Sequence, residues 1–133
     1  PGRPVRFSPA HARMAAVSRF FSESFDKSDT EAPLIEEFKI ASPPKAGEKT
    51  VKLSLKMSDN KGLGPLVIHQ RGGGQIDALV RDLSLKSARK RDGILTATAP
   101  RPLVAGQPLI YIVNLFDVNG NLSQSVINSR VAP

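Results

Sequence analysis

Acidic and amide side chains occur together at two places in the chain. Asp59 and Asn60 form one group, and a second group follows a strongly apolar run, formed by Asp117, Asn119 and Asn121. Oxygen donors of this kind bind calcium in proteins. If both groups lie in loops at one end of a β-sandwich, their two carboxylates can approach each other. Because only two carboxylates contribute and the surrounding charge is positive, the sequence predicts turn bracing, with no metal and no cofactor. A weak calcium site is the alternative.

A cluster of basic residues is the second candidate site. The chain has 133 residues, with 19 Lys and Arg against 12 Asp and Glu, and its net charge is +7. The densest group consists of Arg81, Lys86, Arg89, Lys90 and Arg91. It can bind an acidic partner protein or an anionic polymer, or it can simply protect an edge strand from aggregation. No aromatic residue lies between these side chains to stack on a base, which argues against a nucleic-acid partner.

Residues suited to catalysis are few. Cysteine is absent, and His11 and His69 are the only histidines. No serine has the Gly-x-Ser-x-Gly context of an activated nucleophile. The three consecutive glycines between Arg71 and Gln75 are not followed by the Lys-Ser or Lys-Thr pair of a phosphate-binding loop, and they predict a hairpin tip. We therefore expect a protein that is not an enzyme.

The N-terminal segment, residues 1–32, predicts an amphipathic helix over about residues 9–26. Ser8 can cap this helix, and Pro9 suits its first position. An apolar face follows at helical spacing, and we expect it to dock on this chain, on a neighbouring domain or on a partner in a larger assembly: Met14, Val17, Phe20, Phe21 and Phe25. Its nearly balanced charge argues against a membrane surface. No apolar run is long enough to predict a membrane-spanning helix.

Residues 33–133 have the pattern of an all-β domain. Glycine, proline and asparagine recur between short runs of apolar residues that alternate with polar ones. The run from Val51 to Met57 alternates strictly. The run from Leu109 to Phe116 is apolar on both faces, which predicts a central strand, with the run from Leu122 to Val131 beside it. Together the runs predict about seven strands.

The end of the chain resembles a known class of domain. Bacterial immunoglobulin-like and fibronectin type III-like modules often close with a tyrosine-bearing strand, then Asp, a short gap, and Gly-Asn. Tyr111, Asp117, Gly120 and Asn121 match this order. The resemblance covers about residues 33–132 and implies an immunoglobulin-like antiparallel β-sandwich. Two features depart from the pattern: Leu103 and Tyr111 are eight residues apart, two more than usual, and tryptophan is absent.

The resemblance also implies where such a protein works. Modules of this class occur in bacterial proteins that are periplasmic, secreted or displayed on the cell surface. We expect a non-enzymatic accessory, scaffolding or adhesion module that acts through protein–protein contacts. The alternative is a module that binds anionic envelope polymers or glycans through the basic loop 81–91.

Overall fold

A computed structural model describes residues 29–133, which form a β-sandwich of seven strands in two antiparallel sheets. The strands are β1 (Leu34–Ile40), β2 (Thr50–Ser58), β3 (Leu63–Gly72), β4 (Gln75–Ser84), β5 (Lys90–Thr98), β6 (Pro108–Asp117) and β7 (Leu122–Arg130). One sheet has the order β1-β2-β5, and the other has the order β4-β3-β6-β7. The mainly β character and the number of strands confirm the expectation from the sequence.

The predicted N-terminal helix lies outside the described residues, and so does its apolar face. That face comprises Met14, Val17, Phe20, Phe21 and Phe25. Within residues 29–133 no element is helical. A search of these residues accordingly found no helix with the length and hydropathy of a membrane span.

The core lies between the two sheets and follows from alternation along the strands. On β2 the side chains of Leu53 and Leu55 are buried, whereas Lys52 and Lys56 between them are exposed. Each buried leucine contributes roughly 1.5–3 kcal/mol to the free energy of unfolding. β6 lies between β3 and β7, as predicted from its apolar character on both faces.

Two strands differ in detail from the pattern in the sequence. β5 begins at Lys90, although its apolar run begins only at Ile94, because backbone pairing with β2 continues to Ser58. Ile76 belongs to an alternating run with Ala78 and Val80 on β4, which indicates a buried face, yet its side chain is 83% exposed. It lies next to the tip of the β3–β4 hairpin, where no second sheet covers it.

The β3–β4 hairpin forms at the three glycines, as predicted. Gly72 has a φ of +81°, and a Cβ atom there would lie 2.2 Å from the carbonyl oxygen of Pro108. Both the backbone conformation and the close approach of β6 therefore require glycine.

The β6–β7 turn at Asn119-Gly120 also forms where predicted, but with a different geometry. Only Gly120 has a positive φ, of 90°. Asn119 keeps a negative φ because its N–H donates a hydrogen bond of 2.9 Å to Asp117 Oδ1. The connection is therefore wider than the two-residue turn that Asn-Gly suggests.

Tyr111 is fully buried, and a buried tyrosine hydroxyl normally has a hydrogen-bond partner. Within the described residues the hydroxyl has no hydrogen-bond partner. The preceding loop is engaged elsewhere: Leu103 N donates to Glu48 O, and Leu103 O accepts from Gly47 N.

Candidate functional site

One end of the sandwich brings together both groups of residues that the sequence singled out. Here the 59–62 loop, the 85–89 turn and the β6–β7 turn pack against one another through backbone hydrogen bonds. Asp59 N donates to Arg89 O at 2.9 Å, and Val118 N donates to Gly62 O at 3.0 Å. We call this region the loop end.

The basic residues are all exposed, but they do not form one loop. Arg81 lies within β4, in the four-stranded sheet, whereas Lys90 and Arg91 begin β5 in the other sheet. Lys86 and Arg89 lie in the turn between them. Within the described residues none of the five forms an ion pair. The structure therefore groups four of them, from Lys86 to Arg91, around the loop end and the start of β5.

β5 is an edge strand with regular geometry. It pairs only with β2 in its sheet, and its register with β2 runs without a bulge from Thr98 to Lys90. Ile94 on this strand is 61% exposed. An unbulged edge of this length can accept a further strand, because the backbone groups on its outer side are not used by its own sheet.

The buried part of the loop end holds three carboxylates, which we call the carboxylate cluster: Asp29, Asp59 and Asp117. One carboxylate oxygen from each lies within 4.8 Å of the others. Their side chains are 7%, 9% and 0% exposed, respectively. The expected approach of Asp59 and Asp117 at one end of the sandwich is confirmed, and Asp29 joins them from the segment before β1.

Asp59 and Asp117 brace turns, as predicted. Asp59 Oδ2 accepts hydrogen bonds of 2.9 Å from the N–H groups of Lys61 and Gly62. Asp117 Oδ1 accepts from the N–H groups of Asn119 and Asn121, at 2.9 and 2.8 Å. The turns therefore fix the positions of both carboxylates.

Asp29 is held by amide side chains from two loops. Its Oδ2 accepts a hydrogen bond of 2.8 Å from Asn119 Nδ2, and its Oδ1 accepts a longer one from Asn60 Nδ2. Its backbone oxygen accepts from Asn121 Nδ2 at 3.0 Å. These contacts attach the segment before β1 to the β2–β3 and β6–β7 connections.

The carboxylates affect each other's protonation. The pKa of Asp117 is raised to about 6, mainly by burial and to a smaller extent by the charge of Asp59, while hydrogen bonds from Asn121 and Asn119 act in the opposite direction. Burial also raises the pKa of Asp29, but hydrogen bonds from Asn119, Glu31 and Asn60 outweigh burial and keep that pKa below its ordinary value. The three carboxylates therefore lie close together in a mostly buried part of the loop end.

One oxygen of the cluster has no hydrogen-bond partner within residues 29–133. Asp59 Oδ1 is buried, and among the described residues no donor reaches it. No lysine or arginine of residues 29–133 forms an ion pair with any of the three carboxylates. Buried charges are normally paired or bound to a metal ion, so this oxygen is the exception that needs an explanation.

The sequence did not identify Asp29 as part of a site. It belongs to the segment that was assigned to the N-terminal helix and its linker, and no spacing relates it to Asp59 or Asp117. Only the three-dimensional arrangement of loops brings it there. The one available signal was its acidic side chain a few residues before the first strand, which begins at Leu34.

His69 is half-buried on β3, opposite Ile112 of β6. Burial and the charge of Arg71 lower the pKa of His69, while Asp77 partly opposes them. Asp77 itself forms an ion pair with Arg71, with Nε and Oδ2 3.3 Å apart. β3 begins at Leu63 beside the loop end, and His69 lies further along this strand. His69 is therefore remote from the loop end.

Comparisons of the chain with protein-family models, with curated proteins and with solved structures found no match.

Proposed function

We propose that this chain is a non-enzymatic, immunoglobulin-like or fibronectin type III-like module that binds an acidic segment of a partner protein along β5. We assign it an accessory, scaffolding or adhesive role in a bacterial envelope or secreted protein. The observation that carries the proposal is the combination of an unbulged edge strand with exposed basic residues at its start.

The order of the strands supports the immunoglobulin-like assignment. In constant-type immunoglobulin domains the first, second, fourth and fifth strands share one sheet, and the third, sixth and seventh share the other. Here only β4 departs from this arrangement, because it pairs with β3. A fourth strand in this position is typical of the fibronectin type III-like variant.

Charge selects the kind of strand that can add to β5. Lys90 and Arg91 would bring like charge together along the shared edge if two copies of β5 paired, so self-pairing is disfavoured. A strand rich in glutamate or aspartate would instead be attracted, mainly through faster association and at low salt. The same residues thus oppose aggregation and favour an acidic partner.

The test uses two labelled acidic peptides of equal length and charge. One alternates glutamate with valine and can form a strand, whereas the other alternates glutamate with proline, which removes every second N–H group and disfavours the strand conformation. Fluorescence anisotropy measures binding to the full chain at low salt. We expect the valine peptide to bind at least tenfold more tightly. Equal binding of both peptides would contradict strand addition.

Matched variants locate the binding surface. Changing Arg89, Lys90 and Arg91 together to glutamine should weaken binding of the valine peptide about tenfold, since each exposed charge pair contributes about 0.2–1 kcal/mol. The control changes three exposed basic residues at the opposite end of the sandwich to glutamine: Lys45, Lys49 and Arg101. An equal loss in both triple variants would show that only net charge matters.

The second candidate is binding of anionic envelope polymers or glycans through the same basic residues. The exposed positions of Lys86 and Arg89 next to Lys90 and Arg91 favour it. Purified lipopolysaccharide and teichoic acid, titrated against the full chain, distinguish it from the first. Polymer binding that the Arg89, Lys90 and Arg91 variant abolishes, together with no preference between the peptides, would favour this second function.

A further inference from the structure

We propose that Asp29, Asp59 and Asp117 bind one calcium ion at the loop end. Three independent features of the described residues support this site: the geometry of the carboxylates, the unpartnered oxygen of Asp59, and the hydrogen bonds that hold the ligands in position. The proposal does not depend on what binds to β5.

The geometry suits a calcium ion. Calcium binds six to eight oxygen ligands at about 2.3–2.6 Å, so two oxygens on the same ion are at most about 5 Å apart. One carboxylate oxygen from each member of the cluster lies within 4.8 Å of the other two. The three side chains can therefore reach one ion without rearrangement of the strands that carry them.

The unpartnered oxygen indicates that a cation is needed. Asp59 Oδ1 is buried and accepts no hydrogen bond from the described residues. Asp117, a second carboxylate of the cluster, is fully buried. Burying carboxylates side by side without a counter-charge is strongly unfavourable. A divalent ion between them would supply both the missing partner of Oδ1 and the missing positive charge.

The surrounding hydrogen bonds hold the ligands in place and, among the described residues, reach every carboxylate oxygen of the cluster except Asp59 Oδ1, including Asp117 Oδ2, which accepts from Asn121 Nδ2 at 2.9 Å. Lys61 and Gly62 donate to Asp59 Oδ2 and leave Oδ1 available. Asn119 Nδ2 donates a hydrogen bond to Asp29 Oδ2, and the backbone N–H of Asn119 donates one to Asp117 Oδ1. Such outer partners orient metal ligands and restrict their motion. The site is thus largely formed in advance by the turns.

The donor set favours calcium over other metal ions. All three candidate ligands are carboxylates, and the described part of the chain places no histidine in the cluster. Cysteine is absent from the whole sequence. Zinc and copper prefer nitrogen and sulfur ligands, whereas magnesium requires a smaller octahedral shell and retains its water. The ion would connect Asp29, before β1, with the loops after β2 and β6.

The experiment measures thermal unfolding of the full chain, freed of metal with a chelator, in calcium chloride or magnesium chloride at about 10 mM. This concentration is about ten times the dissociation constant of weak calcium sites. We expect calcium to raise Tm by about 5 °C or more and magnesium to raise it less. Titration calorimetry should give one calcium ion per chain.

Two variants with the same change of charge make the result specific. In Asp59→Asn the amide can donate to the neighbouring carboxylates from the position of the unpartnered oxygen. Without metal, this variant should have a higher Tm than the metal-free wild type. Adding calcium should not change the Tm of the variant. Asp92→Asn, at an exposed position on β5, should keep the full shift.

Several results would overturn the site. These are a wild-type chain with neither a Tm shift nor a heat of calcium binding, an equal shift in the wild type and Asp59→Asn, or an equal shift with magnesium. Higher stability of metal-free Asp59→Asn together with no calcium binding to the wild type would show that the carboxylates share a proton instead.

Discussion

At the residue scale, Asp117 contributes both hydrogen-bond acceptors to a turn and a charge to the carboxylate cluster. Its Oδ1 accepts two backbone hydrogen bonds that close the β6–β7 turn, while its carboxylate charge belongs to the cluster with Asp29 and Asp59. The first task needs only an acceptor oxygen, but the second needs the charge. The two tasks can therefore be separated by substitution.

Replacing Asp117 with alanine should lower the free energy of unfolding by about 2–4 kcal/mol, because the buried N–H groups of Asn119 and Asn121 lose their acceptor. Asp117→Asn keeps the acceptor for the backbone N–H groups but places an amide NH2 opposite Asn121 Nδ2, which donates to Oδ2 at 2.9 Å, so metal-free protein should lose about 1–2 kcal/mol, less than the alanine variant. Urea unfolding of both variants measures the difference. Equal losses would show that the charge, and not the turn, is what matters.

The pKa of His69 gives a prediction about pH. Because burial and Arg71 lower this pKa in the folded chain, the proton binds more tightly to the unfolded chain. The stability that neutral His69 contributes is complete above the unfolded pKa of about 6.5, and it is lost as pH falls through the lower folded pKa.

An NMR titration of the full chain should therefore give His69 a pKa below 6.5. His69→Gln should reduce the loss of stability between about pH 6.5 and 5. A folded pKa at or above the ordinary value, or an unchanged pH slope in the variant, would contradict this description of its surroundings.

At the scale of elements, the 85–89 turn has a strained backbone and also positions the basic residues. Lys86 and Ser87 have φ values of 54° and 66°, a left-handed conformation that costs side-chain-bearing residues about 1–2 kcal/mol each. Ala88 N donates to Leu85 O and closes the turn. This turn carries the chain from the four-stranded sheet to β5, and so it positions the basic residues.

Ser87→Gly should raise the free energy of unfolding by about 1 kcal/mol, because glycine adopts a positive φ without steric cost. The control is Ser58→Gly, at the end of β2, where φ is not positive; there we expect a loss of about 0.5–1 kcal/mol. Thermal or urea unfolding measures both. A loss at both positions would show that the turn at Ser87 is not strained.

The elements were the part of the molecule most accessible from sequence. Strict alternation between Val51 and Met57 and the double apolar character of β6 identify strands because burial on one or two faces leaves a direct pattern. The start of β5 and the exposure of Ile76 did not follow from pattern. The start of β5 depends on its pairing with β2, and the exposure of Ile76 depends on the absence of a covering sheet. Both are tertiary effects.

The residues of the candidate site likewise divide into those that the sequence identifies and those that only the fold brings together. Turn residues identify Asp59 and Asp117 because both brace connections with a local sequence pattern. Asp29 could not be identified, since its partners Asn119 and Asn121 are distant in sequence and are brought near only by folding. The unpartnered oxygen of Asp59 is likewise a property of the assembled loops.

At the scale of the whole molecule, basic side chains lie at the surface of the loop end and the acidic cluster lies beneath them. The net charge of the chain is +7; in the part that the structure describes, basic side chains such as Lys90 and Arg91 are exposed, while the carboxylate cluster is buried at the same end of the sandwich. An outside partner therefore meets positive charge. This arrangement underlies the central claim that β5 binds an acidic strand.

The most direct test of that claim is amide hydrogen exchange of the full chain, measured residue by residue with and without the glutamate–valine peptide. Binding along the edge predicts that amides of residues 90–98 facing away from β2 become protected, while amides of β7 do not change. Protection spread evenly over the molecule, or confined to strands other than β5, would contradict the claim.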